Sequence, residues 1–459
     1  MIESLQPYAE YKESGLPWVP QVPAHWSLIP NRAVLRKRKV LVGAKHKNFQ
    51  LLSLTKGGVI VRDISTGKGK FSSDMGTSQE VRPGDFVFCL FDVPETPRTV
   101  GLAQHNGMIT SAYTVFESRN LPPESVRYLE RFYIAMDDRK LLSPLYSGLR
   151  HTIPPPRFLG TKTPQPPSDE QAAMVRFLDH ANRKIDGFIR AKRKLIALLG
   201  EQKQAIIHRA VTRGLDTNAP LKPSGIPWLG DIPKHWEVLR ARFLFRPVTR
   251  RDIKKDDPKM SVTQRRGLVP TDEMEENATQ ARSFDRFQVC YPQDLVLNKY
   301  KAHLGVFCCA FQRGLITPNY TVFRPTRRLH TYFFDILFHT TMYRNEFSMM
   351  VHGVTEGMSP LYTQDFNRVP VVFPPYEEQK KILEGIVLLT KPQDTAIART
   401  EREIALMQEY RTRLTADVVT GKLDVRPAAA KLPDLPTDAP FEPAADEEPE
   451  EPEQEENEG

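Results

Sequence analysis

Pro166-Pro167-Ser168-Asp169-Glu170-Gln171 returns as Pro374-Pro375-Tyr376-Glu377-Glu378-Gln379. From there the register holds without a gap to Thr212 and Leu215-Asp216, matched by Thr420 and Leu423-Asp424. Working outward, Ser14-Gly15-Leu16-Pro17-Trp18 and Pro23-Ala24-His25-Trp26 return as Ser224-Gly225-Ile226-Pro227-Trp228 and Pro233-Lys234-His235-Trp236. The offset is 208 to 210 residues, far above the period of a solenoid or propeller, so a whole domain is duplicated. At 459 residues the chain is long enough for two such domains, each with its own core.

Each repeat divides into a mixed front and a helical back. In the fronts, strand-like runs (Val81 to Leu90, Asp294 to Leu297) alternate with turn signals. Three pieces correspond: Ser53-Leu54-Thr55 with Ser261-Val262-Thr263, Pro83-Gly84-Asp85-Phe86-Val87 with Pro292-Gln293-Asp294-Leu295-Val296, and Tyr113-Thr114-Val115-Phe116 with Tyr320-Thr321-Val322-Phe323. They read as scaffold strands of one mixed α/β fold. Between them the copies differ strongly, so the frame is common and the loops are not.

In the first back, Met174, Leu178, Ala181, Ile185, Phe188, Lys192, Leu195, Leu199, Gln202 and Ile206 alternate in steps of four and three, a heptad seam. In the second, Ile382, Ile386, Leu389, Ala396, Glu403, Met407, Tyr410 and Leu414 hold the same register. Two long helices are therefore expected to pair as an antiparallel coiled coil, the halves being related by a pseudo-twofold. Ile185, Phe188, Leu195, Leu199, Ile206, Ala396, Met407, Tyr410 and Leu414 are the expected pairing residues. Pro392 lacks an N–H and clashes with the preceding turn. It predicts a short helix near 377–389 handing over to a long one near 392–420, with a matching break near Asn182.

The formal net charge of +8 understates the basic character of the body. From Pro427 onward there are 12 acidic residues and one lysine, so residues 1–426 carry 63 Lys and Arg against 44 Asp and Glu. A field of that sign favours a polyanion, nucleic acid above all. The tail, rich in proline and acid, is expected to be disordered. Cys89, Cys290, Cys308 and Cys309 form no CxxC and have no His at finger spacing, so neither zinc nor a disulfide framework is indicated. A polar start and the lack of an apolar run near 18 residues predict a cytoplasmic chain that enters no membrane.

Chemistry-bearing motifs are weak. Phe373-Pro374-Pro375-Tyr376 superficially resembles the Pro-Pro-aromatic motif of amino-methyltransferases, but Phe373 cannot accept the target amine's hydrogen bond. No glycine-rich nucleotide turn and no Walker sequence occurs. Asp252-Ile253-Lys254 and Asp138-Arg139-Lys140 have no second acid at a persuasive position, as a metal nuclease needs. His25 and His235 stand in a repeated Pro-x-His-Trp turn and read as packing residues. No catalytic residue and no metal ligand is assigned. Base-edge reading instead needs Arg, Lys, Asn, Gln or Thr projected from a rigid frame. The divergent loops supply Lys56, Lys68, Lys70, Thr96, Arg98 and Gln104 in the first copy, and Arg265, Arg266, Lys299, Tyr300, Lys301, His303 and Asn319 in the second.

Taken together, the duplicated order Ser-Gly-x-Pro-Trp, Pro-x-His-Trp, variable region, Pro-Pro-x-(Asp/Glu)-Glu-Gln, long helix and Thr-x-x-Leu-Asp resembles the specificity (S) subunit of type I restriction–modification enzymes. The resemblance implies a first target-recognition domain over 1–160, a central helical spacer over 161–216, a second recognition domain over 217–372 and a C-terminal helical spacer over 373–426. The acidic tail, 427–459, lies outside it. It further implies a non-catalytic chain whose two domains each read half of an asymmetric, bipartite site on double-stranded DNA. Two copies of a methyltransferase (M) subunit and motor-nuclease (R) subunits would be partners. S-adenosylmethionine, ATP and Mg would be bound by those partners and not by this chain. Two rival readings stay open: a self-contained DNA nuclease or methyltransferase, and a coiled-coil protein-interaction scaffold.

Overall fold

A four-stranded antiparallel sheet whose two faces carry different chemistry organises each half of the chain. The computed structural model describes residues 5–62, 75–263, 266–273, 286–300, 306–350 and 360–433. They divide into two units, the first ending at Lys194 and resuming at Glu401, the second running Leu195–Thr400.

In the first unit the sheet order is Leu35–Arg38, Thr114–Ser118, Phe86–Phe88, Val100–Leu102. Successive side chains of a strand point to opposite faces. Phe86, Phe88 and Phe116 therefore enter a core with Tyr128, Phe132 and Tyr133 of the helix Pro123–Asp138, while Val87 and Val115 enter a smaller core on the opposite face with Leu52, Val59, Val81 and Ile109. Two two-stranded ladders build that far side, Leu52–Thr55 with Gly58–Val61 and Gln79–Val81 with Gly107–Ile109. On the near side a hairpin, Tyr11–Leu16 with Val19–Pro23, and the pair Ser27–Pro30 with Lys162–Gln165 lead to the long helix Ser168–Arg213.

The second unit repeats these pieces, with one helical difference. Its sheet runs Phe245–Val248, Tyr320–Pro325, Leu295–Asn298, Phe307–Cys309. Leu295, Leu297 and Phe323 face the aromatic core, and Val296 and Val322 the far one. The ladders are Met260–Thr263 with Gly267–Pro270 and Gln288–Cys290 with Gly314–Ile316, and Glu237–Arg240 pairs with Pro370–Phe373. One helix of the first copy is replaced by two, Thr331–Phe338 and Thr341–Met350.

The repeated motifs turn out to be the joints of this frame. In Ser-Gly-x-Pro-Trp the glycine takes a left-handed φ (+70° at Gly15, +79° at Gly225), and the serine hydroxyl accepts the N–H two residues on (2.9 Å at Leu16, 3.1 Å at Ile226). In Pro-Pro-x-x-Glu-Gln the buried glutamine amide donates back to a proline carbonyl, 2.6 Å from Gln171 to Pro166 and 2.8 Å from Gln379 to Pro374, fastening the helix start. The glutamate meets Pro-x-His-Trp. Glu170 accepts from Trp26 Nε1 at 2.9 Å and from the Tyr8 hydroxyl at 3.2 Å, and lies 2.6 Å from His25 Nε2 and 2.9 Å from Arg426 Nη1. Burial, then the Glu170 charge, pushes the Tyr8 phenol well above its usual range. The other helix ends at the same place: a Cβ on Gly421 (φ +77°) would stand 2.4 Å from Pro23 and 2.8 Å from Trp26. In the second unit His235 lies 2.7 Å from Glu378, and Gly214, also at φ +77°, packs on Trp236. There, however, the buried Trp236 Nε1 has no hydrogen-bond partner among the described residues.

The long helices correct two expectations. Ser168–Arg213 and Tyr376–Val419 are each continuous, with no break at Asn182 and with Pro392 inside the second. Pro392 is exposed, so the carbonyl it leaves without an N–H partner can turn to water. With its amide oriented to suit its neighbours, Gln393 donates to the Leu389 and Thr390 carbonyls at 3.0 and 3.2 Å, bridging the weakened turn. The buried stripe also shifts phase. Ile185 is followed by Ile189 at 2% exposure, whereas Phe188 is 37% exposed and Leu195 40%. Ala181, Ile185 and Ile189 thus make two successive steps of four, which a straight 3.6-residue helix follows better than a strict heptad. Leu414 is buried, Leu199, Ile206, Ala396 and Met407 are half-buried, and Tyr410 is 40% exposed. Pairing is antiparallel within each unit: Asp186 pairs with Arg411 and Lys192 with Glu403 in the first, and Lys203 with Asp394 (2.5 Å) in the second.

Replacing Glu170 by Ala strands the Trp26 N–H and the Tyr8 hydroxyl in a buried place. The expected cost is about 3 kcal/mol. Glu378→Ala, beside an exposed histidine and an indole that already has no partner, is expected to cost about 1 kcal/mol. Urea denaturation of the two variants measures the asymmetry.

Candidate nucleic-acid interface

The loops that differ between the copies emerge at two opposite ends of the sheet strands. At one end, in the first copy, the ladder Leu52–Thr55/Gly58–Val61 turns at Lys56, which is exposed. A bridge between Val59 and Ala103 sets exposed Gln104 beside that ladder. At the other end, beyond Phe88, lie Thr96 and Arg98. The Thr96 hydroxyl donates to the Asp92 carbonyl at 2.9 Å. Arg98 Nη1 donates to Asp138 at 2.7 Å and reaches Asp137 at 3.4 Å, so its guanidinium is tied to the end of the helix Pro123–Asp138. Lys68 and Lys70 lie outside the described residues.

In the second copy Arg266 is exposed in the turn of its ladder, its N–H donating to the Thr263 hydroxyl at 3.0 Å. Lys299 and Tyr300 follow the strand Leu295–Asn298, with the Lys299 ammonium 5.9 Å from the Tyr300 ring centroid. Exposed Asn319 precedes Tyr320, which pairs with Asn298, so these three gather at one sheet end. Arg265, Lys301 and His303 lie outside the described residues.

The sequence reading missed a basic segment that occupies the same place in both copies, just after the first sheet strand. It carries exposed Lys39, Lys45 and Lys47 in the first copy and exposed Arg251, Lys254 and Lys255 in the second. Each is fastened to the far side of its unit. In the first, Val42 N–H donates to Ser78 and Glu80 N–H to Val40 (3.0 and 2.8 Å). In the second, the guanidinium groups of Arg250 and Arg313 each lie 4.9 Å from the Tyr291 ring centroid. Arg313 also grips Asp257 (2.6 Å) and Asp252 (3.1 Å). The Tyr291 hydroxyl and then Arg313 hold the Asp252 carboxyl below its usual range, and Arg313 does the same for Asp257. These acids stay charged and hold the loop while its lysines point outward. Had the two segments been aligned by their following strands, the shared charge was visible in the sequence.

Among the described residues there is no group of three or more His, Cys, Asp or Glu that could hold a metal ion, and no helix is long and apolar enough to cross a membrane. All four cysteines are buried, and burial pushes the Cys290 thiol up to about 11. What the surface offers is cations and amides on a rigid frame, a chemistry of contact with phosphates and base edges.

No family model matches the chain, and no curated protein matches it. Among solved structures, one described as the structural basis underlying complex assembly and conformational transition of the type I R-M system covers 88% of this chain and 99% of its own, at 14% identity and a TM-score of 0.50. The HsdS subunit from Thermoanaerobacter tengcongensis gives 15% identity over 88% of this chain and 98% of its own, with a TM-score of 0.40. The type I restriction–modification S subunit from M. genitalium gives 11% over 94% and 100%, with a TM-score of 0.32. On the first of these similarities, the chain has the fold of a solved component of a type I restriction–modification system.

Proposed function

We propose that this chain is the DNA-specificity subunit of a type I restriction–modification complex, and that its two units each read one half of an asymmetric, bipartite site. The observation that supports this most is the pattern of repetition. The joints recur in their motifs, in the His–Glu contact and in the left-handed glycine at each helix end, while the loops carried by the frame do not. Two non-identical readers in one chain suit a non-palindromic site, unlike a homodimer, whose symmetry imposes a palindrome. The two long helices would fix the spacer between the half-sites. Apolar side chains left exposed on them, Val387, Leu388 and Leu389 in one unit and Leu406 in the other, suit a surface covered by two methyltransferase subunits. Those partners would flip and methylate adenine with S-adenosylmethionine. Motor-nuclease subunits would add ATP- and Mg-dependent cleavage, and the complex would work in the cytoplasm. The purified chain alone, given DNA, Mg²⁺, ATP and S-adenosylmethionine, is expected to turn over nothing; turnover would favour a self-contained enzyme.

Exchanging residues 35–161 for those of a chain with the same frame and different loops is expected to change one half-site and leave the other intact. Methylation sequencing of a host carrying the chimera reads this directly. Replacing Lys39, Lys45 and Lys47 together by Gln is expected to weaken binding to all duplexes alike. If all three meet phosphates, it should also lower the slope of log affinity against log salt by about 2.7, at about 0.9 per contact. Titrations of the assembled complex across a range of salt concentrations check it.

A further inference from the structure

Leu149 is the most exposed large apolar side chain among the described residues, at 100%. Isolated exposed leucines are ordinary, but this one sits at the tip of a turn built to hold it still. Ser147 and Thr152 exchange backbone hydrogen bonds at 2.9 and 3.0 Å, and the Ser147 hydroxyl adds a third to the Thr152 carbonyl at 3.0 Å. Within the turn Gly148 takes φ +68°, and His151, which is not glycine, takes φ +43°. A second strap joins the turn to the loop after the strand Phe86–Phe88. Asp92 N–H donates to the Arg150 carbonyl at 2.9 Å, and Arg150 returns Nη2 and Nε to the Asp92 carboxylate at 2.6 and 3.3 Å. Arg150 also lies 5.6 Å over the Phe91 ring, and Asp92 is itself left-handed at φ +46°. Ile153 N–H closes the base of the turn on the Leu90 carbonyl at 2.8 Å.

Two left-handed non-glycine residues, Asp92 in the strap to Arg150 and His151 next to it, hold a conformation that persists only where the surroundings over-determine it, and such places concentrate at functional sites. The position in the frame says which function. The strapped loop is the one that carries Thr96 and Arg98, and its counterpart in the second copy carries Lys299 and Tyr300. There Leu361 N–H donates to the Lys299 carbonyl at 3.0 Å, matching the contact of Ile153 with Leu90. The turn therefore lies at the same sheet end as Thr96 and Arg98, the end at which Lys299, Tyr300 and Asn319 gather in the second copy, and its neighbours Arg150 and His151 are exposed. A rigid apolar tip beside an exposed arginine fits a DNA groove, where apolar side chains pack on thymine methyls or press into base steps.

We infer that Leu149 is an apolar base contact of the first reading unit, presented to the DNA groove by the strapped turn Ser147–Thr152. This rests on the specificity-subunit reading above. The test uses the chain assembled with its methyltransferase subunits, on a duplex carrying its own methylated site. Leu149→Ser is expected to weaken binding to that duplex about tenfold, a contact's typical share of specificity. The salt slope should stay unchanged, because no ion pair is lost. Leu149→Met, similar in volume, is expected to bind within about threefold of the unaltered complex. Unchanged affinity in Leu149→Ser overturns the inference. So does loss of co-purifying methyltransferase, which would make the turn a protein contact. Failure of the unaltered complex to bind any duplex overturns the specificity reading itself, and this inference with it.

Discussion

A carboxylate at the first turn of a long helix ties the joint of each half of this molecule, buried in the first (Glu170) and partly exposed in the second (Glu378). Glu170 gathers the indole of Trp26, the imidazole of His25, the phenol of Tyr8 and the guanidinium of Arg426 around two oxygens. Its position at a helix N-terminus favours the negative charge, and its partners come from the segments just before and just after the N-terminal hairpin and from the chain's last described stretch. One residue thus fixes the start of one helix, the end of the other and the hairpin between them. Gly421 shows how tight the arrangement is, since any Cβ there would overlap Pro23 and Trp26. The second unit uses the same carboxylate and histidine with fewer partners, and its Trp236 N–H remains unanswered.

From this joint outward the architecture separates what must stay constant from what can vary. Period-two alternation along the sheet strands sends phenylalanines and leucines to the helical side and valines to the far side. Each aromatic buried there contributes roughly 1.5–3 kcal/mol. The aromatic side anchors the joint, and the valine side carries two small ladders whose connections bear the exposed cations and amides. Loops mounted this way can change length and composition without disturbing the core, because their ends are fixed by ladder pairing.

Much of this was legible in the chain. The motifs that recur 208 to 210 residues apart are the joints, and they recur because helix starts, helix ends and left-handed turns admit few residues. The sheet strands were found wherever both copies kept a turn, as at Pro83-Gly84-Asp85 and Pro292-Gln293-Asp294, where Gly84 and Gln293 both take positive φ. Other features depend on contacts distant in sequence. Continuity through Pro392 relies on exposure and on the Gln393 amide, neither visible in a pattern of apolar residues. The change of phase at Ile189 needs one extra step of four that a heptad template overlooks. Arg98 looked like any loop arginine until Asp137 and Asp138 were brought beside it, and the Leu149 turn has no motif at all.

Single-molecule methylation sequencing of a host expressing this chain with the methyltransferase subunits proposed for it tests the account most directly. Two different half-sites separated by a fixed, unread spacer, with adenine as the modified base, is the result predicted by two dissimilar readers on one repeated frame. A palindromic motif, a continuous one, or no motif dependent on this chain would contradict it.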